Sequence, residues 1–299
     1  MDLARSWLFV PGQKQRMVDK SRGLDVDAIM LDIEDGVPPP EKEQARRLIA
    51  EALDSDWPAG GPTRFVRINA IGHPRMEADL KAVLRPGLEG LVLPKVESAD
   101  EVRTVEETLD AREAQAGLEP GSVGLLVAIE SPRGLFQAQA IAASSARVVG
   151  LMFGAEDFGK ELGLPMVREG EAQELIHARS TLVMAAAAAH VQAVDGVWPD
   201  IVDQDGLWAD VRQARRLGFS GKSLFHPSQI EAINTLFSPS LEEVDYCRQV
   251  VEAFDEAIAR GDGSIAFGGQ LIDLPIVERA RRTMLLAEYL GIGTPDSQD

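Results

Sequence analysis

Cysteine is nearly absent from the 299-residue sequence, in which Cys247 is the only one. A single cysteine excludes a disulfide framework and the CxxC pattern of metal-binding or redox sites. Histidine is also scarce: the sequence has four, with no HxxxH pair, so a zinc site is not predicted either. A chain with one thiol fits a reducing compartment, and we expect a cytoplasmic protein.

The sequence also lacks a long hydrophobic run. Its most apolar stretch, residues 183–194, is alanine-rich and falls well short of the ~20 residues that cross a bilayer. The N-terminal sequence MDLARSWLFVPG contains too short an apolar run for a signal peptide. Neither segment predicts membrane insertion.

Positive charge is in deficit, with 30 Lys and Arg against 48 Asp and Glu and a net charge of −18. The field of such a chain repels polyanions, so neither nucleic acid nor an anionic membrane is expected as the main partner. A small anionic ligand needs only a local basic pocket. The patterns GxGxxG and GxSxG are absent too, which disfavours a dinucleotide-binding fold and a serine-hydrolase nucleophile elbow.

Short apolar, β-branched segments are what the first 237 residues do contain, and helix-like segments separate most of them. Several are apolar throughout, as expected for strands that are covered on both faces. The segments are Trp7–Val10, Ala28–Ile33, Arg64–Ile68, Gly90–Pro94, Val123–Ile129, Val148–Phe153, Ala193–Val197 and Lys222–Phe225. This alternation predicts an α/β fold, a (β/α)₈ TIM barrel over residues 1–237, with a doubly wound sheet as the main alternative.

The pattern changes after the eighth segment. Residues 238–299 contain two helical segments, Leu241–Arg260 and Pro275–Leu290, separated by the glycine-rich sequence GDGSIAFGGQLID. We therefore expect a helical C-terminal extension that is not part of the barrel.

Charged residues follow the predicted strands repeatedly. They are Glu34 and Asp35 after the second strand, Arg67 at the third, Lys95 after the fourth, Glu130 after the fifth and Asp157 after the sixth. In TIM barrels the carboxyl ends of the strands form one rim, which carries the reactive groups. The recurrence of charge at that rim predicts an active site.

Two carboxylates on neighbouring strands suit Mg²⁺, which keeps several water or substrate oxygens in its shell. Glu130 and Asp157 end neighbouring strands and are the predicted pair, with Arg67 as a bidentate clamp for a carboxylate or a developing enolate oxygen. The acids are also compatible with capping the following helices, and Lys95 is equally compatible with merely neutralising the acidic rim.

Nine motifs in order, almost from end to end, resemble the citrate lyase β-subunit-like proteins within the HpcH/HpaI aldolase, malyl-CoA and citramalyl-CoA lyase family. They are RSWLFVPG from Arg5, IMLDIEDGV from Ile29, VRIN from Val66, LPKVES from Leu93, AIESPRG from Ala128, FGAEDFGKELG from Phe153, DQDGL from Asp203, LGFSGKSLFHPSQI from Leu217 and GGQLID from Gly268. Each is weak alone, but their order and spacing together identify a member of this family.

The resemblance implies a TIM barrel assembled as a homotrimer or homohexamer, and Mg²⁺-dependent cleavage or formation of a C–C bond between an acyl-CoA thioester and a 2-oxo acid. By motif, Glu130 and Asp157 correspond to metal ligands, and Arg67 to the arginine that faces the carbonyl and enolate oxygens. Asp273 matches an aspartate that acts as acid/base in the site of a neighbouring subunit.

The resemblance also assigns a rim segment and a binding segment. By the resemblance, Glu34 and Asp35 belong to the rim segment that orders water and substrate in members of the family. The residues expected to contact substrate or the CoA arm are Pro11, Lys14, Arg16, Lys20 and Lys95.

One departure from the family pattern is Gln270, where members often carry lysine. The aspartate that follows remains, so activity is still expected. Three alternatives stay open: a malyl-CoA or citramalyl-CoA thioesterase or malate-synthase-like enzyme, a β subunit acting on a carrier-protein thioester, and a non-catalytic binding protein.

Overall fold

The computed structural model describes residues 3–165 and 172–293. Within them, eight parallel strands pair in sequence order, and β1 pairs with β8, so the sheet is closed. The strands are β1 (Ser6–Pro11), β2 (Ala28–Asp32), β3 (Thr63–Arg67), β4 (Gly90–Leu93), β5 (Gly124–Ile129), β6 (Val148–Phe153), β7 (Gln192–Asp195) and β8 (Gly221–Leu224). The predicted barrel is confirmed, and the doubly wound alternative is wrong.

Every predicted strand is present, and the differences are at the ends. β7 ends at Asp195, two residues before the predicted end at Val197. The next residue, Gly196, lies so close to β6 that a Cβ there would be 2.8 Å from the Phe153 carbonyl oxygen. The chain therefore turns out of the sheet at a position that requires glycine.

Alternate side chains of the strands form one core cluster, to which seven of the strands contribute. Its largest members, Trp7 and Phe65, meet edge to face with ring centroids 5.0 Å apart. Gly90 on β4 makes room for the ring of Phe65, since a Cβ at Gly90 would lie 2.1 Å from it. Large and small residues thus alternate across neighbouring strands, as close packing requires.

Helices follow the strands along the chain. They are α1 (Gln15–Ser21), α2 (Lys42–Leu53), α3 (Met76–Val83), α4 (Ala99–Arg112), α5 (Pro132–Ala142), α6 (Ala155–Leu162), α7 (Ile176–Ala188), α8 (Gln204–Leu217) and α9 (Ile230–Phe237). Ser98 followed by Glu101 three residues later is the sequence signature of a capping box, and this capping box begins α4. None of the described helices is long and apolar enough to cross a bilayer.

The amphipathic pattern of residues 171–189 predicts one long helix, but α7 begins at Ile176. A short 3₁₀ turn, Gln173–Leu175, precedes α7, and Glu171 lies outside the described residues. Helical patterning does not distinguish a 3₁₀ turn from the first turn of the α-helix that continues it.

A buried ion network ties β7 and β8 to α7 and α8. Asp195 accepts from Arg179 at 2.7 Å and from Lys222 at 2.6 Å, and both cations also pair with Asp210. Each of the four side chains is 2% exposed. The network is a structural element of the barrel, since each charge in it has an opposite partner.

The chain divides into two compact units between Asn234 and Thr235. The second unit contains α10 (Leu241–Arg260) and α11 (Leu274–Tyr289), which confirms the helical C-terminal region. Between them, β9 (Ile265–Phe267) and β10 (Gln270–Ile272) form an antiparallel hairpin that was not predicted. Gly268 and Gly269 both have positive φ, which a tight two-residue hairpin turn requires.

Candidate active site

The carboxyl ends of β2 and β3 bring the first pair of charged side chains together. Asp32 and Arg67 are the last residues of these strands and are direct neighbours in the strand register. Arg67 donates from Nε to Asp32 Oδ1 and from Nη2 to Asp32 Oδ2, both at 2.7 Å. This bidentate pair fixes the plane of the guanidinium.

The Asp32 carboxylate also holds the loop that follows β2. Its Oδ1 accepts from the Glu34 N–H at 2.8 Å and its Oδ2 from the Gly36 N–H at 2.9 Å. Position 36 must be glycine, because a Cβ there would lie 2.3 Å from Asp32 Oδ2. Asp32 therefore connects the loop that carries Glu34 to Arg67.

Arg67 keeps its charge in a largely buried position. Burial alone would lower its pKa, but the carboxylates of Asp32 and Glu34 outweigh burial and hold that pKa above its ordinary value. Its Nη1 lies 3.3 Å from Glu34 Oε2, and its guanidinium carbon lies 4.7 Å from the centroid of the Phe9 ring. The cation is thus surrounded by partners that favour the charged form.

Lys95 joins the two predicted rim acids after β2. Its Nζ donates to Glu34 Oε1 at 2.5 Å and to Asp35 Oδ2 at 2.6 Å. Burial would raise the pKa of Asp35, but the hydrogen bond and charge of Lys95, together with a hydrogen bond to Glu34 and the charge of Arg67, outweigh burial and hold that pKa below its usual range. Lys95 has a φ of 55°, a left-handed conformation that is uncommon outside glycine and recurs at functional sites. In this arrangement Lys95 neutralises the acids, and a contact with substrate stays a prediction.

Glu130 is the first residue after β5 and is 6% exposed. Gly154, after β6, packs directly against it: a Cβ at Gly154 would lie 2.3 Å from Glu130 Cγ. Burial, together with the negative charges of Glu34 and Asp157, raises the pKa of Glu130 to about 7, although Arg67 opposes the rise. Among the described residues, none donates a hydrogen bond to this carboxylate or forms an ion pair with it.

Asp157 lies in the first turn of α6, three residues after the Gly154 that packs against Glu130, and its side chain is 37% exposed. Among the described residues it forms an ion pair with Lys160, whose Nζ is 3.7 Å from Asp157 Oδ1. The described residues contain no group of three or more His, Cys, Asp or Glu that could hold a metal ion. A pair of carboxylates, one of them buried without a partner, nevertheless fits Mg²⁺, which commonly takes only one or two from the protein.

The predicted CoA segment borders this cluster at Pro11, the register neighbour of Asp32, and the next residue, Gly12, donates from its N–H to the Asp32 carbonyl. Pro11 ends β1, whereas Lys14, Arg16 and Lys20 are exposed on and just before α1. Lys14 pairs with Glu41, with 3.7 Å between Nζ and Oε2. Their role in binding a CoA arm stays a prediction.

Asp273 belongs to the C-terminal unit, directly before α11. Its backbone carbonyl accepts from Ile276 and Val277, but its half-buried carboxylate does not cap the helix. Gln270 is exposed at the start of β10. A role for Asp273 in a neighbouring subunit's site stays a prediction.

Asp32 is the member of the cluster that the sequence does not place among the catalytic, binding or metal residues; its position at the end of β2 is compatible with a structural acid that holds neighbouring loops, as the structure shows. An acid that is the last residue of a wholly buried strand is a usable signal, because it must find a cation or hydrogen-bond donors. Identifying Arg67 as the partner requires the register of β2 with β3, which the sequence does not give.

Known proteins are similar to this chain in both sequence and fold. Citrate lyase subunit beta of Escherichia coli K12 is 40% identical over 288 residues, which cover 96% of this chain and 94% of that protein. Rat mitochondrial citramalyl-CoA lyase is 33% identical, covering 95% and 86%. The (3S)-malyl-CoA thioesterase of Cereibacter sphaeroides KD131 is 36% identical, covering 96% and 95%.

A solved structure gives the same result. CitE from Mycobacterium tuberculosis in complex with magnesium, acetoacetate and coenzyme A superimposes with a TM-score of 0.76 at 32% identity, covering 95% of this chain and 97% of that one. The family model for HpcH/HpaI aldolase/citrate lyase matches residues 5–227. The chain therefore belongs to the HpcH/HpaI aldolase/citrate lyase family.

Proposed function

We propose that this protein is a Mg²⁺-dependent C–C lyase, or synthase in the reverse direction, that converts a citramalyl-CoA or malyl-CoA type thioester into acetyl-CoA and a 2-oxo acid. The observation that carries the proposal is the largely buried Glu130, whose carboxylate has no hydrogen-bond or ion-pair partner among the described residues and is subject to the charge of the fixed Arg67 guanidinium. A buried carboxylate without a partner is costly unless a cation joins it. The lyase relative and the relative solved with magnesium and coenzyme A support this choice.

Glu130 and Asp157 are the residues that would hold Mg²⁺, which supplies Lewis-acid polarisation of the oxygen on the 2-carbon. Asp32 occupies two of the five guanidinium N–H groups of Arg67 and Glu34 Oε2 lies 3.3 Å from Nη1, which leaves two N–H groups to donate to oxyanion charge as it develops. Because Asp32 fixes the guanidinium beforehand, little reorganisation is needed during the reaction.

The bond changes follow from the substrate. In cleavage the hydroxyl on carbon 2 of the acid part gives its proton to water ordered beside Glu34. The electron pair of the O–H bond forms the keto C=O, the bond from this carbon to the thioester α-carbon breaks, and the electron pair of that C–C bond forms the thioester enolate. Asp273 from a neighbouring subunit then donates a proton to the enolate carbon. Leu271 and Leu274 flank the hairpin end that carries Asp273 and are 67% and 50% exposed, which suits burial against another copy of the chain.

Lys14, Arg16 and Lys20 are proposed to bind the phosphates of the CoA arm. They supply local positive charge on a chain whose net charge is −18. Lys95, Glu34 and Asp35 form the ion-paired wall beside Arg67, which orders water and substrate.

The test is to incubate the protein with citramalyl-CoA and malyl-CoA in Mg²⁺ or EDTA, and to measure acetyl-CoA, free CoA and 2-oxo acid separately. Mg²⁺-dependent acetyl-CoA together with pyruvate or glyoxylate is the expected result. Glu130→Gln should lose this activity, whereas the exposed control Glu161→Gln should keep it.

Two other functions have support from named relatives. The thioesterase relative favours hydrolysis, which would give free CoA without a 2-oxo acid. The citrate lyase β relatives favour a carrier-protein thioester as substrate, in which case free CoA esters would not react. Either result would replace the proposed lyase.

A further inference from the structure

Lys42 is the first residue of α2, a position where the helix N-terminus disfavours a positive charge and where little water is available to solvate it. The N-terminus of a helix carries partial positive charge, which disfavours lysine in the first turn. Lys42 is also only 7% exposed. Burial lowers its pKa, although the charges of Asp32 and Glu34 oppose this. The reason for a lysine here must therefore lie in what its ammonium contacts.

The ammonium of Lys42 contacts the loop that carries the rim acids. Its Nζ donates to the backbone carbonyl of Ile33 at 2.6 Å and to that of Glu34 at 2.9 Å. The N–H of Glu34 donates in turn to Asp32. The backbone at position 34 is thereby held on both its N–H and its C=O sides.

The same buried face of α2 reaches the next strand end one turn further on. Arg46 donates from Nε to Asp79 at 2.8 Å, and Asp79 accepts from the backbone N–H of Asn69 at 2.9 Å. Asn69 lies two residues after Arg67. One helix therefore fixes the chain beside both partners of the ion pair between Glu34 and Arg67.

We propose that Lys42 is a positioning residue that sets the Glu34 carboxylate between Arg67 and Lys95 for turnover, an inference that rests on the proposed lyase function. Without its ammonium, the buried carbonyl of Ile33 loses its donor and that of Glu34 keeps only the Val37 N–H, so the loop moves to hydrate the freed oxygens. The Glu34 carboxylate then moves away from both cations, and the guanidinium of Arg67 loses one of its two carboxylate partners. Lys42 itself touches no substrate in this scheme.

The experiment compares Lys42→Met, which keeps most of the side-chain stem, with two controls. Lys222→Met removes another buried lysine, in the structural network between β8 and α8. Arg47→Met removes an exposed cation from the same helix as Lys42. Each variant is measured for kcat and KM with the CoA thioester, and for backbone amide exchange by mass spectrometry.

We expect Lys42→Met to lower kcat roughly 10- to 100-fold with KM changed less than about two-fold, because it misplaces reacting groups and leaves substrate binding intact. Exchange should lose protection at the amides of residues 34–36 and stay unchanged elsewhere. Lys222→Met should instead lose protection generally, and Arg47→Met should match the wild type in both measurements.

Two results would overturn the proposal: unchanged kcat and exchange in Lys42→Met, or a general loss of protection there that matches Lys222→Met. Lys42→Gln, whose shorter amide still donates, is measured in parallel, and its kcat and its protection from exchange should fall between those of the wild type and Lys42→Met. It replaces Lys42→Met if that variant does not fold.

The exchange comparison does not depend on turnover. A wild-type protein that cleaves no thioester would therefore refute the proposed function, while loss of protection confined to residues 34–36 would still support the positioning role.

Discussion

Replacing Glu130 by Gln should stabilise the barrel in the absence of divalent cations, although it removes a proposed metal ligand. The carboxylate is buried, has negative neighbours in Glu34 and Asp157, and has no hydrogen-bond partner among the described residues. Ionisation of Glu130 therefore destabilises the folded state relative to the unfolded state. A neutral amide of the same shape removes that cost.

The size of the effect follows from the pKa of Glu130. A rise from 4.5 to about 7 corresponds to about 3 kcal/mol at roughly 1.4 kcal/mol per pH unit. Below about pH 4.5 the carboxyl is protonated in both the folded and the unfolded state, so it carries no penalty. Between 4.5 and about 7 the folded state binds more protons, and the stability of the wild type falls as pH rises. Above 7 the full penalty is present.

Tryptophan fluorescence during urea unfolding in EDTA is the assay. The four tryptophans, at positions 7, 57, 198 and 208, all lie in the barrel unit, so the signal reports its unfolding. At pH 8 Glu130→Gln should be more stable than wild type by about 3 kcal/mol, and the difference should disappear near pH 4.5. The exposed control Glu161→Gln should stay within about 0.5 kcal/mol of wild type at every pH.

Added Mg²⁺ should reverse the order, because a ligand that binds only the folded state stabilises it, and the variant binds less of it. A Glu130→Gln protein that is no more stable than wild type at pH 8, or a difference that does not vary with pH, would refute the reasoning. Either result would mean that the Glu130 carboxylate has a partner in the folded protein.

Three further substitutions test the rest of the site. Asp32→Asn should cost roughly 3 kcal/mol in the same unfolding assay, because Arg67 loses a buried partner; an unchanged midpoint would contradict that. Gly154→Ala should weaken Mg²⁺ binding roughly 10-fold in a calorimetric titration, since its Cβ displaces Glu130, and unaltered affinity would show that the carboxylate adjusts freely. Asp273→Asn should abolish thioester cleavage with Mg²⁺ binding intact, and a wild-type rate would remove this residue from the mechanism.

The barrel could be predicted because the sequence pattern of each segment agrees with the strand or helix that it forms. Wholly apolar segments separated by helical ones have few arrangements other than a closed or open parallel sheet. The hairpin of β9 and β10 was missed because three-residue strands rich in neighbouring glycine carry almost no periodic signal. The later start of α7 was missed because helical patterning does not distinguish the preceding 3₁₀ turn from a first turn of α-helix.

The sequence predicts which charged residues lie at the rim of the barrel, but it does not predict which of them pair with one another. The positions of Glu34, Arg67 and Glu130 follow from where strands end. Which cation each acid faces depends on strand register and on helix packing across more than thirty residues, as in the 35-residue separation of Asp32 from Arg67. Lys42 shows the same limit, because sequence patterning places it on a helix but gives no sign that its ammonium reaches back to backbone carbonyls.

The charges of the cluster explain how a chain so acidic overall can be suited to anionic substrates. Five carboxylates and three cations converge there, and with all groups ionised their formal charge is −2; they are Asp32, Glu34, Asp35, Glu130 and Asp157 with Lys42, Arg67 and Lys95. Each cation is already paired with oxygens of the β2 end or its loop, so none alone attracts a second anion strongly. A divalent cation beside Glu130 would bring the cluster to neutrality. The proposed 2-oxo acid should therefore bind weakly to the metal-free protein and much more tightly in Mg²⁺, whatever the net charge of the rest of the chain.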